Sequence, residues 1–262
     1  MRLSYEQPSE TFETNIIGTV YLLEAVRKLA KKCAVVIITT DKVYENKEWH
    51  YPYRESDRLG GYDPYSASKA ASEIVISSYR NSFFNAEDYD KHQKAVASAR
   101  AGNVIGGGDW SKDRIIPDIV KALRENKPVV VRNPNSVRPW QHVLEPLGGY
   151  LLLGGKLGEN PARFAEAWNF GPHSNSSLKV QDLVEEFIKI WGCGSYKSQQ
   201  SDKNPHEAKL LKLDINKAAN ELAWQPKFSD IQAISKTIQW YKRFSESETA
   251  HLGEEIEEYM SL

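Results

Sequence analysis

The chain has no glycine-rich turn between a strand and a helix near its start; glycines gather instead at Gly102 and Gly106-Gly107-Gly108, which lead into Asp109-Trp110. No Gly-Lys-Ser/Thr follows them, which excludes a P-loop. Cysteine is scarce, with only Cys33 and Cys193, so a disulfide framework is excluded and free thiols in a reducing cytoplasm are expected. Charge of one sign is also missing: 34 Lys and Arg face 35 Asp and Glu, which argues against general affinity for nucleic acid or an acidic membrane. No stretch approaches the ~20 apolar residues of a membrane span, and the first residues, with Pro8 and several acids, form no apolar signal core. The six His and two Cys show no zinc spacing and no acidic cluster marks a metal site, so no metal is expected. No repeat or low-complexity tract occurs. The composition fits a soluble enzyme of one large or two small domains.

Among the features present, Tyr65-Ser66-Ala67-Ser68-Lys69 is the most informative. A Tyr and a Lys four apart on a helix share one face. The Lys charge lowers the phenol's pKa and makes it a base for a sugar or alcohol hydroxyl. Such a pair also arises by chance, so its surroundings matter. Upstream, Ala34-Val35-Val36-Ile37-Ile38-Thr39-Thr40 is an apolar, β-branched run ending in hydroxyls, followed by Asp41-Lys42. It reads as a buried parallel strand that delivers polar groups at its carboxyl end, where open α/β sheets bind ligands.

The pattern along the chain predicts a long helix over 8–31, a strand over 34–40 and a helix over 65–83 whose apolar positions are Ala70, Ala71, Ile74, Val75 and Tyr79. A strand over 95–104, a helix from Pro117 to Glu125 and a short strand over 128–132 follow. Val180, Leu183, Val184, Phe187, Ile188 and Trp191 form a helical stripe closed by Gly192. Two helices, 214–223 and 229–244, flank Gln225-Pro226. The domain boundary is placed near Val104, giving residues 1–104 and 105–262, with a strand at Ala167–Phe170 that returns to the first domain.

These motifs resemble the extended short-chain dehydrogenase/reductase family in its nucleotide-sugar branch. The resemblance runs through Glu13-Thr14-Asn15-Ile16-Ile17-Gly18-Thr19, Arg100-Ala101-Gly102-Asn103, Arg138-Pro139-Trp140-Gln141-His142-Val143 and Trp168-Asn169-Phe170-Gly171-Pro172. Within that branch, Thr40-Asp41-Lys42-Val43-Tyr44-Glu45-Asn46, the Gly106–Trp110 loop and Pro205-His206-Glu207-Ala208 are similar to CDP-glucose 4,6-dehydratases. The implied fold is α/β: an N-terminally truncated Rossmann-type parallel sheet with a smaller α/β substrate-binding domain. At ~25–30 residues per strand–helix unit, roughly 90–100 residues that open with the dinucleotide-binding turn are expected ahead of Met1.

The resemblance implies an NAD-dependent lyase acting on CDP-glucose, with Thr39, Tyr65 and Lys69 on the cofactor. Tyr65 takes the C4 hydroxyl proton, Lys69 assists, and Thr40 shares the hydrogen bond. Asp41 is the candidate acid at the C6 hydroxyl. Lys42 is the candidate base at C5, or else a stabiliser of the enolate. Asn103, Arg114, Arg138 and His206 are the candidates for the nucleotide sugar, and His142 reads as a hydrogen-bonded structural residue. A homodimer is implied through helices 8–31 and 65–83, with Tyr21, Leu22, Ile76 and Tyr79 supplying the surface. The alternatives are another nucleotide-sugar dehydratase, a 4-epimerase, or a non-catalytic remnant. Asp41-Lys42 argues against the epimerase, which needs no elimination pair.

Overall fold

A computed structural model describes residues 2–111, 114–173, 178–198, 210–247 and 252–262. The strands among them are β1 (Cys33–Ile38), β2 (Lys94–Ala101), β3 (Val104–Ile105), β4 (Val129–Val131), β5 (Gln141–His142), β6 (Ala167–Phe170) and β7 (Tyr196–Ser198). The chain forms two compact units. The first comprises Met1–Gly102, Leu147–Phe170 and Pro205–Gln225; the second comprises Asn103–Pro146, Gly171–Asn204 and Pro226–Leu262.

In the first unit β1, β2 and β6 make a parallel sheet with β2 at its centre, Val35 opposite Val96 and Ala99 opposite Trp168. Every residue of β2 is buried, as expected where helices cover both faces of a parallel sheet. The strand alternates small residues, Ala95, Ala97, Ala99 and Ala101, with Val96, Ser98 and Arg100, so the latter three share one face. Val96 packs there with Leu23, Val26, Ile76 and Phe84.

The helix Pro64–Ser82 starts sharply. The Asp63 carboxylate accepts from the Tyr65 and Ser66 amides at 3.0 and 3.1 Å, Ser66 Oγ returns to Asp63, and Pro64 occupies the first turn. Gly61 is required beside it, because a Cβ there would lie 2.1 Å from the Ser66 backbone.

The expected helix over 8–31 is interrupted. Pro8–Phe12 and Gly18–Lys28 are α-helical, but Glu13–Ile17 between them is a π turn. Within that turn the Asn15 carbonyl accepts from Ser72 Oγ at 2.7 Å, while the Asn15 amide donates to Ser68 Oγ at 2.8 Å. The small buried Ser68 and Ser72 let the two helices approach closely. The phase of the Tyr65 helix also differs from expectation: Ile74 is 60 % exposed, whereas Ile76 is fully buried.

The second unit has two short parallel pairs, β3 with β5 and β4 with β7. Its core joins Ile116, Ile119, Val120 and Leu123 of the helix Ile115–Arg124 to Leu183, Val184 and Phe187 of Val180–Trp191, and to Ile234, Ile238 and Trp240 of Asp230–Ser247. Gly192, at φ 96°, ends the Val180 helix in the left-handed conformation. Among the described residues no helix is long and apolar enough to cross a membrane.

Candidate active site

Five of the expected catalytic residues lie in the first unit, on two adjoining pieces of chain. β1 ends at Ile38, Thr39 and Thr40 follow in extended backbone, and Asp41–Val43 form a 3-10 turn packed against the Tyr65 helix. Thr40 caps that turn: its hydroxyl donates to Asp41 Oδ1 at 3.0 Å and accepts from the Lys42 amide at 3.4 Å. Asp41 is almost fully buried and Lys42 partly so. Tyr65 and Lys69, both half-buried, stand one turn apart at the start of the capped helix. Burial depresses the Lys69 pKa, and the negative charge of Glu73 partly offsets this.

Beneath these groups lies a buried polar network in which sequence analysis assigned no role to Glu73, Arg100 or Asn169. The Glu73 carboxylate accepts from Thr39 Oγ1 at 2.5 Å, from Ser98 Oγ at 2.8 Å and from Arg100 Nη2 at 2.8 Å. Arg100 Nη1 donates to Tyr44 Oη at 2.8 Å, and Tyr44 Oη donates to Asn169 Oδ1 at 2.7 Å. The Asn169 side-chain amide donates to the Tyr53 and Asp214 carbonyls. Burial alone would raise the Glu73 pKa; Arg100 and the two hydroxyls reverse this and hold it below the usual carboxylate range. Two signals for this network stood in the sequence. Glu73 follows Lys69 by four residues on the same helix face, and Arg100 is a charge set among the small residues of the second half of β2.

The second unit holds the other described candidates. Asn103 is half-buried, and its carbonyl accepts from the Gln141 amide at 3.1 Å. Arg114 precedes the helix Ile115–Arg124 and is mostly exposed, 3.7 Å from Asp109. Arg138 is half-buried, with Nη1 donating to the Val137 carbonyl at 3.1 Å. His206, with its Pro-His-Glu-Ala motif, lies outside the described residues. His142 is buried, edge-on to Phe228, and accepts weakly from the Leu144 amide at 3.4 Å. Its burial, with a smaller effect from Lys236, lowers its pKa to about 4. Among the described residues no group of His, Cys, Asp or Glu is arranged to hold a metal ion.

The sequence profile of GDP-mannose 4,6 dehydratase matches residues 1–237. The chain belongs to that family. It is 47 % identical to the CDP-glucose 4,6-dehydratase of Salmonella typhimurium over its whole length, covering 73 % of that protein. The dTDP-glucose 4,6-dehydratase of Streptomyces antibioticus is 29 % identical over 91 % of the chain and 66 % of the relative. Among solved structures, the Bacillus anthracis dTDP-glucose 4,6-dehydratase in complex with NAD superposes with a TM-score of 0.74 at 25 % identity, over 90 % of this chain and 70 % of the other. A Thermotoga maritima UDP-glucose 4-epimerase shares the fold at a TM-score of 0.76 and 19 % identity, over 93 % and 74 %. The fold is therefore the Rossmann-like α/β fold of nucleotide-sugar dehydratases and epimerases, as the motifs implied, and the chain is an enzyme of the dehydratase class.

Proposed function

We propose that the chain acts as a CDP-glucose 4,6-dehydratase, converting CDP-glucose to CDP-4-keto-6-deoxyglucose. The observation that carries this reading is the packing of the Thr40-Asp41-Lys42 turn against the helix that bears Tyr65 and Lys69. The choice of CDP-glucose rests on the 47 % identical relative. The donors present fit the nicotinamide end of NAD: a half-buried ammonium and phenol on one helix face, with the Thr39 and Thr40 hydroxyls at a strand's carboxyl end. Bound there, NAD would supply a hydride acceptor for C4 and a hydride donor for C6, which leaves the overall reaction neutral in redox.

The remaining steps are proton movements by the chain's own side chains. Tyr65, one turn from the Lys69 ammonium on the same helix face, takes the proton of the C4 hydroxyl, and Thr40 orients that hydroxyl. The resulting ketone acidifies the C5 hydrogen. Lys42 is the candidate for that hydrogen, as a base or as a cation that stabilises the enolate. Asp41, little hydrated in its buried turn, donates the proton with which the C6 hydroxyl departs as water. Among the candidates for the nucleotide diphosphate, the Arg138 fork is the best matched to phosphate geometry.

Two further expectations belong to the same reading. The chain works in the cytoplasm, in keeping with the unpaired thiols of Cys33 and Cys193. It pairs with a second copy through the N-terminal helices and the Tyr65 helix, where Tyr21, Leu22 and Ile74 are exposed. Ile76 is buried, so it does not supply the surface as first expected; Tyr79 is half-buried and donates to Glu24 at 3.0 Å.

The test is the product formed from CDP-glucose with NAD supplied, identified by mass spectrometry and NMR. A product lighter by one water and bearing a C6 methyl is expected. A C4-epimerised sugar of unchanged mass, or turnover of dTDP- or UDP-glucose in preference, would overturn the assignment.

A further inference from the structure

Glu73 is 1 % exposed and takes no part in the proton movements above. An ionised carboxylate at such depth is costly unless it is paired and fully hydrogen-bonded. A structural ion pair between a helix and a strand explains the contact with Arg100. It does not explain why the third and shortest bond reaches Thr39, the residue that leads from β1 into Thr40-Asp41-Lys42. Nor does it explain why the carboxylate stands one turn behind Lys69 on the same helix face, at a spacing of about 5–6 Å between Cβ atoms.

We propose that Glu73 is a positioning residue for the Tyr65–Lys69 pair, anchoring the end of β1 through Thr39 and placing a negative charge one turn from Lys69 on the same helix face. Arg100 and Ser98 from β2 hold the carboxylate ionised and in place. Thr39 is held twice, by Glu73 through its hydroxyl and by the Ala99 carbonyl through its amide at 2.8 Å, so the strand end is fixed relative to the helix. Burial favours a neutral Lys69 and the Glu73 charge favours the cation. A neutral Lys69 would leave no positive charge one turn from Tyr65. The inference rests on the Tyr65–Lys69 chemistry proposed above, but it concerns a charge that is measurable without turnover.

The other charges near the pair come from few elements. β2 presents Arg100, the Tyr65 helix presents Arg80, which feels Glu73, and the 3-10 turn presents Asp41 and Lys42. On the N-terminal helices Tyr5 interacts with Asp63, Asn15 is neutral, and Glu10 and Glu13 are exposed. Glu24 is engaged by Tyr79 and Arg27 farther along. Lys69 interacts electrostatically with Glu73 in particular.

The experiment is the pH dependence of acetylation of Lys69 by acetic anhydride, followed by mass spectrometry in the unaltered protein and in Glu73→Gln. The substitution keeps the side chain's size and removes its charge. The proposal expects the labelling midpoint of Lys69 to fall by about one pH unit, and the alkaline limb of kcat/KM for CDP-glucose to move down with it. An unchanged midpoint overturns the proposal. So does a rise towards the ordinary lysine value, because that is what a merely loosened and better hydrated site would give. If the variant does not fold, 13C NMR of the Glu73 carboxyl in the unaltered protein decides. Lys69 labelling that changes in step with titration of that carboxyl supports the role, and a carboxyl still protonated at neutral pH, or labelling indifferent to its titration, overturns it. Labelling that shifts as expected in a protein inactive on CDP-glucose would leave the charge relation standing and overturn the substrate assignment alone.

Discussion

In the first unit, the central strand sets Ser98 and Arg100 against a buried glutamate on the Tyr65 helix, and hydrogen bonds run on through Tyr44 to Asn169. In the second, the interior is Ile, Val, Leu, Phe and Trp, and its buried carboxylate, Glu145, is held by neutral donors instead. The Lys227 and Phe228 amides and the Tyr259 hydroxyl reach it at 2.7–3.1 Å. A buried ion pair adds little net stability compared with apolar packing, yet breaking it is costly. The first unit therefore keeps a costly arrangement directly beneath the residues proposed to move protons. The second uses one buried carboxylate to tie the start of the helix Leu144–Glu159 to the segment at 227–228 and to the helix Leu252–Ser261. The buried carboxylate is paired with a cation beneath the candidate site, and with neutral donors where it joins segments of the fold.

The largest effect that sharpens this contrast is on turnover. Tyr65→Phe should lower kcat on CDP-glucose by about 10²–10⁴-fold, while the thermal transition stays within a few degrees of the unaltered protein. Steady-state kinetics paired with calorimetry check it, and near-normal turnover would remove Tyr65 from the mechanism.

Next comes Arg100→Ala, which leaves the Glu73 charge buried and unpaired. A loss of about 3–5 kcal/mol is expected from urea unfolding. Replacing both members, Arg100→Met with Glu73→Leu, should restore much of that stability without restoring activity. A stable and fully active double variant would mean that the network is only packing.

A pH effect of about 3 kcal/mol is expected in the second unit. The folded pKa of His142 is depressed to about 4 from an ordinary 6.5. The unfolded chain therefore binds a proton that the folded state refuses, and stability present above pH 6.5 is lost as pH falls towards 4. Comparing urea midpoints of the native protein and His142→Phe across that window isolates the slope, and identical slopes would contradict it.

Smallest is Tyr259→Phe, which takes one of the donors from Glu145 and leaves two backbone amides in place. A cost of about 1 kcal/mol is expected. A cost as large as that of Arg100→Ala would erase the distinction between the two buried carboxylates.

Much of this was legible in the sequence because it follows from period and punctuation. The helix closed by Gly192, the strand before Thr39 and the capped helix behind Asp63-Pro64 all show in the spacing. The helix Leu144–Glu159 did not, because Pro146 and five glycines depress its propensity. Tertiary packing overrides them: a Cβ at Gly149 would lie 2.4 Å from the Phe170 ring, so bulk is excluded there while the helix persists. The π turn at Glu13–Ile17 does not show in the pattern, because the stripe reads as one regular helix; Phe12 ahead of the turn is exposed, whereas Leu23 and Val26 beyond it are buried. Glu73 escaped notice because a glutamate on a helix ordinarily faces water. Its role depends on Arg100, a residue of another element that pattern alone does not bring near.

The most direct measurement is the isotope pattern of the product made from CDP-glucose in D2O. The account predicts one solvent deuterium at C5, where the hydrogen is removed and replaced by exchange with water, and the original C4 hydrogen in the C6 methyl group. Deuterium absent from C5, or a C4 hydrogen that never reaches C6, would contradict it.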